Sequence, residues 1–411
     1  MDASVPARAD QLLELEEARE RILRAIPCLP AESISSSAAL GRIVAQPIQA
    51  PIDLPCFDNS AMDGYAVRAG DLHAATSDTP VALKLYGENP AGDILPSAVE
   101  PGTCARVFTG SALPSGADAV VMQEDTRTAP DHKEILFLEA VKPWENVRLQ
   151  GEDVKRGAQL FACGEPLSIG GVGLLAALGV QQVRVHRQPV MGLASTGNEL
   201  LEPGQPLTPG KIYESNRVTL AALVAKVATA PKVLALVADN LKATQAALEQ
   251  AFDECDGVIT TGGVSVGEHD LVKKAFADLG GVMEFWKVAI RPGKPFVFGR
   301  WREKFLFGLP GNPVSALVTF LLLVRPALLR WQGAVDAELP TTPGKLAEPF
   351  VNRGDRRHFM RVMLDRAGNV RSAGVQGSHI LSSLAKANGL LNVPAQSTLE
   401  AGTIAPILRW D

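Results

Sequence analysis

No stretch of this 411-residue chain stays apolar for the roughly 18–20 residues that a membrane-spanning helix needs. The longest, "ALVTFLLLV" from Ala316 to Val324, stops at Arg325 and Pro326. The start, "MDASVPARADQLLELEEARERIL", lacks the basic beginning and apolar middle of a signal peptide and is acidic and helical in pattern. Cysteine is scarce: five residues, an odd number, scattered and without C-x-x-C spacing, which argues against a disulfide framework and against a zinc cage. The six histidines show no H-E-x-x-H spacing, so catalytic zinc is not expected. There is no Walker A sequence and no nucleophile elbow, and "GNPVS" is neither. Positive charge is not in excess either. The formal net charge of -5 removes the usual electrostatic ground for binding nucleic acid or an anionic membrane, while leaving room for a local basic site. Together these absences make the cytoplasm the expected location.

What is present is a folded chain, 46% apolar and 21% charged, long enough for about three domains. No solenoid repeat is visible, and "SISSSAA" is the low-complexity tract. Residues 10–26 carry Leu12, Leu15, Ile22 and Ile26 among charges, an amphipathic helix pattern. From Pro47 to Pro143 short β-prone runs such as "VALKLY", "CARVF" and "EILFLEAV" alternate with Pro, Gly, Asn and Asp, predicting a mostly β domain. A Gly-rich segment with a helix, "IGGVGLLAALG", follows, and it either joins the early helix in a linker domain or stands as a contiguous piece. The discontinuous arrangement puts a linker domain at 1–50 and 150–188 around a β domain at 51–149.

From Pro189 the pattern becomes regular. Strand "PVMGLAS" leads to a helix capped near Ser215, and "KVLALVA" to "DNLKATQAALEQAF". Strand "DGVITT" leads to "LVKKAFADLG", and "KFLFGL" to the helix after "PGNPVSA". Such alternation predicts right-handed βαβ units, hence a doubly wound α/β domain with a mostly parallel sheet over 189–332. Beyond it, "RHFMRVML", "NVRSAGV", "GLLNV" and "IAPILRW" predict a small β-barrel-like domain over 333–411.

Ligands of open parallel sheets bind beyond the carboxyl ends of the strands, at a switch in strand order. The segments that follow the strands are "STGNEL" with Glu199, "DN" with Asp239, "TGGVSVGEHD" with Asp270, and "PGNPVS". Three carboxylates and two Gly-rich turns therefore fall on one rim. Taken singly, Asp239 and Asp270 suit helix N-caps equally well, Glu199 suits a solvated loop, and the glycines need only a positive φ or close packing. Their joint placement is what favours a site. Nearby, "FWKVAIRPGKP" holds Lys287, Arg291 and Lys294; on a strand the first two share a side. Ordinary solvent exposure is the competing reading. Cations beside carboxylates suit a phosphorylated ligand held with a hard, oxygen-seeking cation such as Mg²⁺. Earlier, "PCFDNSAMDGYAV" with Asp63 and "FTGSALPSG" with Thr109 read as turns.

In order, "FDNSAMDGYAV", "GADAVVMQE", "GED", "STGNEL", "TTGGVSVGEHD", "FWKVAIRPGKPFVFG", "GLPGNPVSA" and "QGSHILSSLAKANGL" resemble the molybdopterin molybdenumtransferases, from about residue 10 to the C-terminus. The resemblance implies elongated homodimers of four-domain chains. It also implies insertion of molybdenum from molybdate into adenylated molybdopterin, with release of AMP and with Mg²⁺ as cofactor. Contacts with a molybdopterin adenylyltransferase and with cofactor-delivery proteins are implied too, but none with nucleic acid or membrane. It assigns Asp239 and Asp270, with Glu199 beside them, to a catalytic and metal-binding rim. It places Ser195, Thr196, Gly262, Gly263 and Ser265 around the pterin and phosphates, Lys287 and Lys294 on the anionic ligand, and Pro310 and Pro313 in the adjoining loop. Catalytic Asp63, with Thr109, would come from the β domain of the partner chain. Arg361 and Ser378 match positions near the same cleft. Asn198 stands where the family usually has an acid, and Arg291 where lysine is common, which keeps the charge and favours bidentate contact. Two other functions suit the same domains: adenylation of molybdopterin, and a non-catalytic scaffold that grips a peptide. Chain length speaks against the first; the second is expected to need a fused domain and a long linker, which this sequence does not show.

Overall fold

The computed structural model describes residues 12–130, 132–263 and 271–410. The helix Leu15–Ala25 buries Leu15, Ala18 and Ile22, one stripe at helical spacing, and opens with Glu16 and Glu17 where the helix dipole favours acids. That stripe joins the core of the α/β unit, alongside Phe285 and Trp331, so the helix packs there and not on the Gly-rich segment expected to be its partner. What closes on the later segment is the strand Ala31–Ser35, antiparallel to Gln182–His186. Between these two strands the chain makes a long excursion. Its entry and exit are stitched by Gly157 N–H to Ala50 O at 2.8 Å, Leu54 N–H to Val154 O at 2.7 Å and Gly151 N–H to Pro55 O at 3.0 Å. Beyond this stem lies a six-stranded, mostly antiparallel sheet with Tyr65, Leu83, Val121 and Phe137 in its core.

The α/β unit contains β1 (Val190–Ser195), β2 (Ala230–Val233), β3 (Gly257–Thr261), β4 (Val282–Lys287), β5 (Pro295–Trp301) and β6 (Lys304–Leu309), in the order β2-β1-β3-β6-β5-β4. β2, β1, β3 and β6 are parallel; β5 and β4 are antiparallel additions at one edge. Helices α1 (Asn216–Lys226), α2 (Leu241–Glu254) and α3 (Leu271–Asp278) connect them. The doubly wound, mostly parallel sheet expected from the alternation is thus the observed one. Strand β2 begins two residues earlier than "KVLALVA" suggested, because Ala230 pairs with Val190 at the sheet edge and the chain regains only a single bridge at Val237.

The segment "FWKVAIRPGKP" is not one strand. β4 ends at Lys287, Val288 to Ile290 turn into the core, and Ile290–Arg291 pairs with Arg357–His358 of the last unit. The expected shared side of Lys287 and Arg291 is therefore lost.

Phe285, Phe296, Phe298, Phe305 and Phe307 pack against the helical run Pro313–Trp331, each fully buried ring contributing about 1.5–3 kcal/mol. That run is long and apolar enough, by length and composition, to cross a membrane, but 83% of its apolar window is buried inside the protein, as a core helix would be. It passes Arg325 and Pro326 unbroken. A π-helical turn at Phe320–Val324 directly precedes the proline, and Arg325 reaches out to the carbonyls of Ala337 and Glu338. The last unit is a closed five-stranded barrel: 357–364 pairs with 369–372, then 341–346, 404–409 and 389–393, which returns to 357–364.

Candidate functional site

The chain leaves β1 toward β2 and crosses back to β3, so strand order switches between β1 and β3. A cleft of about 670 Å³ opens at that point, beyond the carboxyl ends of β1, β3 and β6. Its floor is Thr196, Thr261, Gly262, Gly263 and Gly311; Tyr213 to Asn216 form one wall, Pro310 to Pro313 another, and His379 and Leu381 of the barrel unit the rim. Gly262 has φ +81°, and a Cβ there would lie 2.6 Å from Thr196 O; Gly311 comes within ordinary contact of Gly262. At Gly262 the positive φ and the nearby Thr196 carbonyl both require glycine, which lets this turn take its place beside the PGNP turn.

Of the residues singled out in the sequence, Thr196, Glu199, Gly262, Gly263, Pro310 and Pro313 line this cleft. Ser195 lies fully buried beneath it. Lys287 sits opposite Pro295, a cleft residue, and Lys294 precedes it. Asn312 Nδ2 donates to Ser378 Oγ at 3.1 Å, bringing Ser378 to the PGNP wall. Asp239 is not a helix cap: Asn240 takes that role, its Oδ1 accepting the Ala243 N–H at 2.8 Å. Asp239 instead accepts the Asn198 N–H at 2.9 Å, and its own N–H goes to Asn198 Oδ1 at 3.1 Å, so Asn198 supports the acid beside it. Ser215, expected as a cap, makes no capping bond; Glu214 accepts the Arg217 N–H in its place. Ser265 and Asp270 lie outside the described residues.

Four of the expected residues lie elsewhere. Arg291 lines a second, open cleft with Glu348, Arg353 and His358. Arg361 is fully buried, and it spends its guanidinium on Ser383 Oγ at 2.8 Å and on the carbonyls of Val375 and Gly377 at 2.9 and 3.0 Å. It therefore holds the loop that leads to Ser378 and does not itself face the cleft. Asp63 and Thr109 belong to the β unit and do not line the cleft of their own chain. There the Thr109 N–H and O–H both donate to Asp63 Oδ1, at 2.8 and 2.9 Å, and these bonds hold the Asp63 carboxyl below its usual range. Among the described residues no three metal-ligating side chains cluster; Glu199 lines the cleft, while Asp239, bonded to Asn198, is not among its lining residues.

The sequence reading missed Thr261, Tyr213, Glu214, Asn216, Asn312 and His379. "YESN" was legible only as the start of a helix, yet it carries a charge at a position that folds inward.

A multidomain α/β protein with a ligand-sized cleft at its topological switch is the class this architecture defines. Comparison with known proteins narrows it. Residues 13–179 match the MoeA N-terminal region (domain I and II), 192–330 a probable molybdopterin binding domain, and 343–410 the MoeA C-terminal region (domain IV). The chain is 41% identical over 383 residues to a molybdopterin molybdenumtransferase of Haemophilus influenzae, covering 92% of this chain and 93% of that one. It is 36% identical to one of a Nostoc species, over 89% and 86% of the two chains. A crystal structure of a molybdopterin biosynthesis MoeA protein from Pyrococcus horikoshii superposes with a TM-score of 0.82 at 32% identity, covering 97% of this chain and all of that one. The chain belongs to the MoeA family.

Proposed function

We propose that this chain is a transferase of molybdenum cofactor biosynthesis: it takes adenylated molybdopterin in the cleft, accepts molybdate as second substrate, inserts molybdenum at the dithiolene and releases AMP. The observation that carries this reading is the cleft itself, about 670 Å³ at the switch point and floored by two glycine turns, a space large enough for a phosphorylated ligand. Cleaving a phosphoanhydride asks the protein mainly for positioning and charge stabilisation. The anhydride P–O bond breaks, an oxygen of molybdate or of water forms the new P–O bond, and the displaced phosphate oxygen keeps the bond pair. The turns orient the phosphates, and Lys287 and Lys294 offset the charge that builds on the departing oxygen. Glu199 and Asp239 offer the hard oxygen donors that suit Mg²⁺, and Asp270 is proposed as a third acid; the cation supplies charge neutralisation at the phosphates.

The working unit in this reading is a cytoplasmic homodimer, with Asp63 and Thr109 of one chain facing the other chain's cleft. Purified protein with molybdate and Mg²⁺ is expected to release AMP from adenylated molybdopterin and not to consume ATP in adenylating free molybdopterin. ATP-dependent adenylation without molybdate-stimulated AMP release would overturn the assignment. For the assembly, Asp63→Ala and Asp239→Ala proteins, each inactive, are mixed under subunit exchange. Recovery of about a quarter of wild-type turnover follows from mass action if the two acids come from different chains; no recovery after demonstrated exchange places both in one chain's site.

A further inference from the structure

Beneath the cleft runs a buried polar chain that the proposed reaction does not use. Glu214 keeps 3% of its surface exposed and Ser195 none. Glu214 Oε1 accepts from Ser195 Oγ at 3.0 Å and from the Arg217 N–H at 2.9 Å, while the Arg217 guanidinium lies against Oε2 at 3.3 Å. Ser195 Oγ also lies 2.6 Å from Thr261 Oγ1, at the adjoining strand end. A carboxylate facing a guanidinium accepts and does not donate, and a hydroxyl carries a single hydrogen. The Ser195 hydrogen is therefore committed to Glu214, so the 2.6 Å contact must be bridged by the hydrogen of Thr261. Thr261, on the cleft floor, is left with lone pairs alone. Its neighbour Thr196 is the opposite case: its buried Oγ1 has no partner among the described residues, so its hydrogen is free to donate.

We infer that Glu214, acting through Ser195, makes Thr261 an obligate hydrogen-bond acceptor, so that this end of the cleft reads an N–H of the ligand's heterocycle and turns phosphate oxygens toward Thr196 and the glycine turns. A phosphate or molybdate oxygen without a hydrogen meets only lone pairs at Thr261, whereas a ring or amino N–H of a pterin or an adenine is accepted. Glu214 and Ser195 are thus positioning residues and Thr261 a specificity residue. The inference takes from the proposed reaction only the nature of the ligand. Its test needs no turnover, so the two fail separately.

The test is equilibrium titration of the full-length protein, wild type and variants, with three probes: a pterin without phosphate, AMP, and ribose 5-phosphate. Thr261→Val, which keeps the shape and removes the oxygen, should weaken a heterocycle probe about tenfold and leave ribose 5-phosphate unchanged; Thr261→Ser should restore the loss. Loss on the pterin alone or on AMP alone identifies which ring is read. Ser195→Ala releases the Thr261 hydrogen and should shift the balance of affinities toward ribose 5-phosphate. Loss of ribose 5-phosphate binding in Thr261→Val, equal binding of all probes by Thr261→Val and wild type, or no binding of any probe by the wild type would each overturn the inference. Thermal melts of each variant confirm that the fold is retained.

Discussion

Replacing Gly262 by alanine asks the β3 turn to do two things it cannot. The residue sits at φ +81°, which costs a side chain about 1–2 kcal/mol. The new methyl would also lie 2.6 Å from the Thr196 carbonyl oxygen, a backbone atom with no rotamer to change. Overpacking of that kind adds about 1–3 kcal/mol, so about 3 kcal/mol is expected in total. At roughly 3 °C per kcal/mol for a unit of this size, Tm should fall by about 10 °C. Gly311→Ala is the matched control. Its Cβ would meet Gly262 Cα at 3.6 Å, ordinary contact, so the fold should melt within about 2 °C of wild type. The same methyl stands on the cleft floor between the two turns, and it should weaken substrate binding about tenfold or more. Differential scanning calorimetry and a substrate titration read both variants. A Gly262→Ala protein as stable as wild type would refute the turn geometry. A Gly311→Ala protein destabilised as much as Gly262→Ala, with unaltered binding, would refute the reading of that spot as cleft.

Two pH dependences follow from buried charge. Burial, with Arg291, Arg361 and Arg356 nearby, pushes His358 down to about 4, whereas an unfolded imidazole titrates near 6.5. Between those values the unfolded chain takes up a proton that the folded chain refuses, so stability should fall by about 3 kcal/mol as pH drops from 6.5 to 4 and flatten below; denaturant titrations of wild type and His358→Phe should show this slope only in the wild type. Burial alone would raise the Asp256 carboxyl, but Arg187, bonded to it twice at 2.8 Å, and the Val190 N–H hold it below its usual value. Its contribution is present above the unfolded value near 4 and is lost as pH falls through the lower folded value. Asp256→Asn should therefore destabilise the protein at neutral pH, with the gap to wild type closing below about pH 4 in parallel thermal melts.

The α/β unit was legible because hydrophobic runs and Gly turns agree along it; "DGVITTGG" becomes a strand and a turn as its composition suggests. "FWKVAIRPGKP" misled because nothing in its alternation records that Ile290 and Arg291 pair with a strand 67 residues later. Arg361 misled in another way. A basic residue that resemblance matches to a position near the cleft suggests a ligand, while its bonds to Ser383 and to the carbonyls of Val375 and Gly377 exist only once the barrel has closed. Glu214 was missed for a related reason: a single acid at the start of a helix looks like a surface residue until two strand ends, far apart in sequence, deliver Ser195 and Thr261 to it.

The stem that stitches Ala50, Leu54 and Pro55 to Gly157, Val154 and Gly151 has a consequence for how the molecule is put together. Seen from the rest of the chain, everything between those paired segments is one long loop whose ends already touch. Loop closure grows only logarithmically with length, so growing a loop tenfold, from a tight turn to a complete β unit, costs about 2 kcal/mol. The unit is thus a cassette on a single handle, added at little cost to the folding of its host. If Asp63 and Thr109 do face a neighbouring cleft, that handle is also their lever arm: a small rotation at the stem displaces both residues together while leaving the 2.8 Å bond between them intact.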